Sequence, residues 1–425
     1  MTSPADRGIG IGIIGMGSMG RGLLYQSHIT PGVECRAVCD TRVERCTAAL
    51  EWLGLPHRVV HGPDALEDTV REGLVAVCET GDWVSRCSRL AAVVEATNSI
   101  APGARHAIAA LEHHKHLVLM NSEIDLTFGP LLARLAMDNG VVCTSCDGDQ
   151  YGVIKHLVDD LRLWGFGLVM AGNIKGYLDR SANPTTIVPE ADKRNIDHRM
   201  CTSYTDGTKL NIEMAIIANA CGLRAETPGM HGPRAAHVNE VFQHFDFDAL
   251  WADRQPFVDY LLGAEPGGGV FAIGHCDNPY QREMLAYYKM GAGPYYLFYR
   301  PFHLCHIEAI GTVIGAAREG STFLRPDHGF RTNVYAYAKT DLKPGDRLDG
   351  IGGYTCYGKI ENLPEGNAAP GLPVCLADDL AVVRALARDE RIALSDVIHD
   401  PERLDFKLYT QALACPVPAA MPREA

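Results

Sequence analysis

Residues 9–40, IGIGIIGMGSMGRGLLYQSHITPGVECRAVCD, constrain the fold more than any other stretch of the chain. An apolar run from Ile9 to Ile14 leads directly into Gly15-Met-Gly17-Ser18-Met19-Gly20. A helix-compatible segment follows, and a second apolar run, Val33 to Cys39, ends at Asp40. Strand, glycine turn, helix, strand and acid is the order that holds a dinucleotide. The first glycine permits a tight turn, the second lets backbone approach a pyrophosphate, and the third lets helix and strand pack closely. The helix start at Ser18 and Met19 would turn unpaired N–H donors and a positive dipole end toward the phosphates. Asp40 stands twenty residues after Gly20, where a carboxylate can accept bonds from a ribose diol. The pattern predicts NAD or NADP as cofactor. Asp40 favours NAD by repelling a 2′-phosphate, whereas Arg42 could pair with that phosphate, so both remain open.

The motif predicts a Rossmann-type domain over residues 1–150. Apolar runs at 74–80, 93–98, 116–123 and 141–149 alternate with helical segments, including 106–114 and 128–139. Strands that are apolar throughout imply a parallel sheet covered on both faces. Ligands bind beyond the carboxyl ends of such strands. That rim would carry Thr97-Asn98, Asn121-Ser-Glu123 and Asp147-Gly-Asp149.

At 425 residues and 47% hydrophobic content, two or three domains are expected. The net charge of −13 argues against general affinity for nucleic acid or membrane surfaces. No apolar run reaches a membrane span, and MTSPADRG carries no hydrophobic signal segment, so a cytoplasmic location is expected. The fourteen cysteines read as small buried hydrophobes, with Cys143/Cys146 a lone CxxC whose alternative is a redox pair.

Residues 151–325 read as an α+β catalytic domain. A helix ends at Gly165, and FGLVMAGNI reads as a strand. The segment 175–200 has no clear periodicity and concentrates Lys175, Arg180, Lys193, Arg194, His198 and Arg199, which marks a functional loop. Arg180, Arg194 and Arg199 are candidate ligands for an anionic substrate, with His303 of HLCHIE as a fourth. In DGTKLNIE, a helix would place Asp206, Lys209 and Glu213 on one face at i, i+3 and i+7. A lysine flanked by acids can donate a proton to a carbonyl oxygen or hold an anion. The competing reading is a solvated face of ordinary charge pairs. Asp149 and Glu213, with Glu123 as a third, would suit Mg²⁺ or Mn²⁺, although the Asp147/Asp149 pair can also form a turn that caps a helix. Residues 326–425 read as a small, mostly β domain without a chemistry-bearing cluster.

Residues 9–225 resemble the homoserine dehydrogenase type of oxidoreductase. Ala171-Gly-Asn-Ile-Lys-Gly-Tyr-Leu178 is similar to that family's glycine- and asparagine-rich turn, and Asp206-Gly-Thr-Lys209 to its catalytic acid and lysine, one residue shorter. The family's lysine after the fifth strand is absent, with Asn121-Ser-Glu123 in its place. MNSEIDLTFGPLLARLA, GDQ, DGTKLNIEMAIIANA, YRPFHL and AKTDLKPGDRLDGIGGYTCYGK are similar to a narrower group that joins such a core to a C-terminal SAF-like domain. This group includes the DXR-like reductoisomerases, which convert 1-deoxy-D-xylulose 5-phosphate to 2-C-methyl-D-erythritol 4-phosphate with NADPH and a divalent metal. The resemblance implies an NAD(P)-dependent oxidoreductase with Lys175, Asp206 and Lys209 at its catalytic centre, acting on a small anionic substrate. Simple dehydrogenation of a hydroxy or amino acid, and a non-catalytic nucleotide-binding regulator, are the alternatives. A homo-oligomer is expected, because the C-terminal β domain must pack somewhere.

Overall fold

A computed structural model describes residues 8–194, 196–363 and 370–416. The chain forms an α/β fold divided into two compact units. Among the described residues, the first holds 8–149, 304–325 and 407–416, and the second holds 150–303 and 326–406.

The first unit is built on seven strands: β1 (Ile9–Ile14), β2 (Val33–Cys39), β3 (His57–Val59), β4 (Val75–Cys78), β5 (Ala92–Glu95), β6 (His116–Leu119) and β7 (Cys143–Ser145). They lie in the order β3-β4-β2-β1-β5-β6-β7, all parallel. Helices α1 (Ser18–Ile29), α2 (Val43–Trp52), α3 (Pro63–Arg71), α4 (Gly81–Arg86), α5 (Ile100–Glu112) and α6 (Ser122–Asp138) connect them. β1 is buried along its whole length, as its six apolar or glycine residues require between two helical layers. The chain runs outward from β1 to β2 and returns to β5 on the other side of β1. That reversal makes the end of β1 a switch point where a ligand crevice forms. The core centres on Ile11, Ile13, Leu23, Val38 and Val94, each worth about 1.5–3 kcal/mol on full burial. The helix Cys305–Ile314 supplies Ala309 and Val313 to this same core, and its His306 ring packs against Gly22 of α1.

Burial sets a pH-dependent cost in this unit. Asp125, on the first turn of α6, is 6% exposed, and Ser145 Oγ donates a 2.7 Å hydrogen bond to its Oδ2. Desolvation pushes its carboxyl up to about 6, against the opposing pull of Ser145. A raised carboxyl favours the folded state below the ordinary carboxylate range and loses that contribution as pH climbs through about 6. Asp125→Asn keeps an oxygen for Ser145 and removes the charge. It should therefore unfold later than the parent chain in urea at pH 8, by up to about 3 kcal/mol, with the difference vanishing at pH 4. Equal midpoints at pH 8 would show that the carboxylate carries no burial cost.

The second unit opens with α7 (Gln150–Leu163), β8 (Gly167–Lys175), α8 (Val188–Arg194), α9 (His198–Thr205) and α10 (Thr208–Cys221). Its main sheet adds β9 (Arg224–Ala225), β10 (Phe257–Leu262), β11 (Val270–His275) and β12 (Tyr295–Arg300), ordered β12-β11-β8-β10-β9. β8 pairs in parallel with β10 and antiparallel with β11. FGLVMAGNI forms the strand read from sequence, and the stretch likened to a family turn continues it to Lys175, with β10 and β11 paired on its two sides. The last segment contributes β13 (Thr332–Ala338), β14 (Arg347–Asp349), β15 (Cys356–Asn362), β16 (Asp378–Val382) and β17 (Val397–Ile398) in two small antiparallel sheets. It is tied to the rest of the unit: Asn362 brackets Ala225, accepting from its N–H at 2.9 Å and donating to its carbonyl at 2.8 Å. Among the described residues no helix is long and apolar enough to cross a membrane.

Candidate active site

The glycine turn is shaped by backbone contact. Gly15 has φ +99°, and a Cβ there would lie 2.7 Å from the carbonyl of Ala96. Any side chain at Gly20 would land on the carbonyl oxygen of Gly15. Gly17 differs, since a Cβ would meet nothing within 4 Å. No steric demand inside the chain calls for glycine at that position. Gly17 is also the N-cap of α1, which has no side-chain cap and no acidic residue in its first turn. Open space in front of uncapped amides fits a pyrophosphate. Ser18 is exposed and Met19 half-buried beside it.

Asp40 has a second task. The Met16 N–H donates to its Oδ2 at 2.8 Å and the Arg42 N–H to its Oδ1 at 2.9 Å, so the carboxylate braces the glycine turn. Arg42 is exposed just before α2. At the ends of β5 and β6, Thr97 Oγ1 donates to Glu95 at 2.6 Å, and Asn121 Nδ2 donates to the Ser99 carbonyl at 3.2 Å. Asn121 also caps α6, and Asn98 is exposed between these two groups. The structure thus gathers Gly15, Gly17, Gly20, Thr97 and Asn121 at the carboxyl ends of β1, β5 and β6 in one unit.

In the second unit the charged residues of α10 are not solvated. All fourteen residues of this helix are buried, with Lys209 7% and Glu213 5% exposed. They stand at i and i+4, one turn apart. Asp206 is not on their helix. It ends α9, and Gly207 at φ +90° breaks the chain before α10 begins at Thr208. The Asp206 carboxylate accepts the Thr208 N–H at 2.8 Å and faces Lys339, whose Nζ lies 2.8 Å from its Oδ2. Burial pushes Asp206 up, and the Lys339 ammonium opposes that shift.

Lys175 ends β8. Burial lowers its basicity, Glu213 and Asp206 act to raise it, and Arg194 lowers it further. Lys175, Asp206 and Glu213, all three expected from sequence at the site, are therefore electrostatic neighbours. Asn173, on the same face of β8 as Lys175, is fully buried, and its Oδ1 has no hydrogen-bond partner among the described residues. A buried acceptor left open is costly unless something fills it.

Other expectations are corrected. Residues 188–205 are largely helical rather than an irregular loop. The Arg199 guanidinium donates to the carbonyls of Asp349 and Ile351. Arg194 pairs with Glu190 at 2.6 Å, an i,i+4 contact on α8. Arg180 is exposed. His303 Nδ1 lies 2.7 Å from the Gly268 carbonyl. Of the three carboxylates expected to suit a metal, Glu123 and Asp149 belong to the first unit and Glu213 to the second. Glu123 accepts from Ser122 Oγ at 3.1 Å, and Asp149 lies 4.0 Å from the Cys305 thiol. All fourteen cysteines, Cys143 and Cys146 among them, are free thiols. Sequence reasoning missed Lys339. Its one signal was a lysine directly after TNVYAYA, a strand buried throughout.

Residues 148–309 match the family model described as oxidoreductase DRL, catalytic domain. No curated protein matches the chain. Among solved structures, the chain is similar to a probable dehydrogenase from Thermotoga maritima, at 11% identity and TM-score 0.41, over 74% of this chain and 90% of that one. It is similar to GenD2 from gentamicin A biosynthesis, solved with NAD, at 16% identity and TM-score 0.40, over 77% and 92% of the two chains. Similarity to the 1-deoxy-D-xylulose 5-phosphate reductoisomerase from Zymomonas mobilis, solved with NADPH, is 14% identity and TM-score 0.34, over 49% of this chain and 57% of that one.

Proposed function

We propose that this chain is an NAD(P)-dependent oxidoreductase acting on a small anionic hydroxy-ketone, and that it couples reduction to a metal-assisted rearrangement of the carbon skeleton. The reading is carried by one observation: Lys209 and Glu213 are buried one turn apart on a helix with no exposed face, and Glu213 also acts on Lys175. Charges kept out of water at this cost are characteristic of working sites. The match of residues 148–309 to an oxidoreductase catalytic domain and the resemblance to DXR-like reductoisomerases supply the reaction class.

Bound NAD(P)H would supply hydride. The chain's own groups do the rest. Gly17 and the first amides of α1 would hold the cofactor's pyrophosphate, and Asp40, which accepts the Met16 N–H, would face its ribose. Lys175, with its lowered basicity, gives up a proton to a developing alkoxide more readily than an ordinary lysine. Lys209, buried one turn before Glu213, holds the substrate's anionic group. Glu123, Asp149 and Glu213 are hard oxygen donors suited to Mg²⁺ or Mn²⁺.

The test is incubation with 1-deoxy-D-xylulose 5-phosphate, NADPH and Mn²⁺. Absorbance at 340 nm and product NMR are followed with and without EDTA. The expected result is NADPH oxidation with a rearranged product, abolished by EDTA. An unrearranged product that survives EDTA would favour simple dehydrogenation, a reading the lysines support because proton donation at Lys175 needs no metal. Tight NADPH binding without turnover of any hydroxy-ketone, hydroxy acid or amino acid would sink the enzyme reading and leave a nucleotide-binding regulator.

A further inference from the structure

Lys339 directly follows the buried strand β13 and is itself 6% exposed. Its Nζ donates three hydrogen bonds, each of 2.8 Å, to Asp206 Oδ2, the Ala182 carbonyl and the Gly353 carbonyl. An ammonium has three N–H groups, so every donor is used. Two of the acceptors stand near opposite ends of the segment 176–206, and the third lies in a distant turn. Ala182 lies in the strap 176–206, which carries Arg180. Asp206 sets the junction from which α10, and so Lys209 and Glu213, departs. Gly353 belongs to the turn after β14. The strap has two more ties to that same turn. Thr185 Oγ1 and Tyr354 Oη lie 2.8 Å apart, and the Arg199 guanidinium bonds to the carbonyls of Asp349 and Ile351. Gly352, at φ +67°, allows the closest approach, since a Cβ there would collide with the Arg199 carbonyl.

We propose that Lys339 is a positioning residue for the proposed reaction, locking the strap 176–206 and the start of α10 in one arrangement. This assigns a role to the AKTDLKPGD segment. The small β sheets near the C-terminus form the platform on which the substrate strap is held. The inference rests on the reading of Lys175 as proton donor and Lys209 as the residue that holds the anion. A simpler role, balancing the buried charge of Asp206, makes different predictions.

The experiment compares the full chain with Lys339→Met, with Asp206→Asn/Lys339→Met and with Lys209→Ala. Readouts are amide hydrogen exchange, thermal midpoint, NADPH affinity, kcat and KM. Lys339→Met should expose 176–187 and 205–213 to exchange and lower kcat roughly a hundredfold, while the NADPH Kd stays within about twofold. The double variant removes both buried charges, so its thermal midpoint should recover. Its kcat should not, because the ties to Ala182 and Gly353 are still missing. Recovery of kcat in the double variant, or unchanged exchange over both segments, overturns the proposal. If Lys339→Met does not fold, the double variant gives the same exchange readout. If Lys209→Ala leaves turnover intact, the functional reading fails while the exchange data still decide whether Lys339 holds the strap.

Discussion

Lys209→Met should fold, bind NADPH like the parent chain and lose roughly 10²–10⁴-fold in kcat/KM. Methionine keeps most of the unbranched stem inside the buried helix and deletes only the ammonium. A stability change of more than a few kcal/mol would point to a structural role instead. Lys175→Met should cost a similar factor, and the pH profile separates the two lysines. Burial lowers Lys175, so its protonated, acid-competent form is lost at a lower pH than for an ordinary lysine. Activity that depends on that proton should fall on the alkaline side. Glu213 favours the charged lysine, so Glu213→Gln should move the alkaline limb to lower pH. A limb that stays in place in Glu213→Gln, with turnover retained, would show that Lys175 is not the group titrating.

The second large effect distinguishes glycines that the fold needs from a glycine that a ligand needs. Gly20→Ala should destabilise the first unit by about 3 kcal/mol or more, because its methyl would displace the Gly15 carbonyl, which is backbone and cannot swing aside. Gly15 is doubly restricted, by its positive φ and by the Ala96 carbonyl 2.7 Å from where its Cβ would be. Gly17→Ala should leave the urea midpoint within about 0.5 kcal/mol, since nothing lies within 4 Å of the added methyl. Its cost should appear only when dinucleotide is offered, as at least a tenfold rise in Kd, measured by nicotinamide fluorescence. A Gly17→Ala chain that binds NADH and NADPH normally would remove the pyrophosphate from this turn.

The first unit was largely legible in the sequence. Its strands are runs of buried apolar residues bounded by polar clusters, and hydrophobic pattern alone places them. β4, β6 and β7 fall within the runs read from sequence, and β5 begins one residue before its run. β3 was missed because three half-exposed residues, His57 to Val59, carry no period. The second unit was less legible. The DGTK motif was visible, but treating it as one helix put Asp206 beside Lys209 on the same face. Gly207 breaks that geometry with a positive φ that a glycine can adopt in either state, so residue type alone does not reveal it. The basic residues at 175–200 were also visible as a group. Which of them face carbonyls, a carboxylate or open solvent is not a property of the segment.

The linear chain alone determined the α/β class, the order of strand, glycine turn and helix, and the candidate lysines, because these depend on local pattern and on backbone sterics within a few residues. Only the tertiary structure decided that α10 is buried on every side and that Asp206 answers to Lys339, 133 positions away. It also decided that the helix Cys305–Ile314 returns to the core of the first unit. Desolvation and charge pairing act between groups that chain folding brings together, and no spacing along the sequence encodes that proximity.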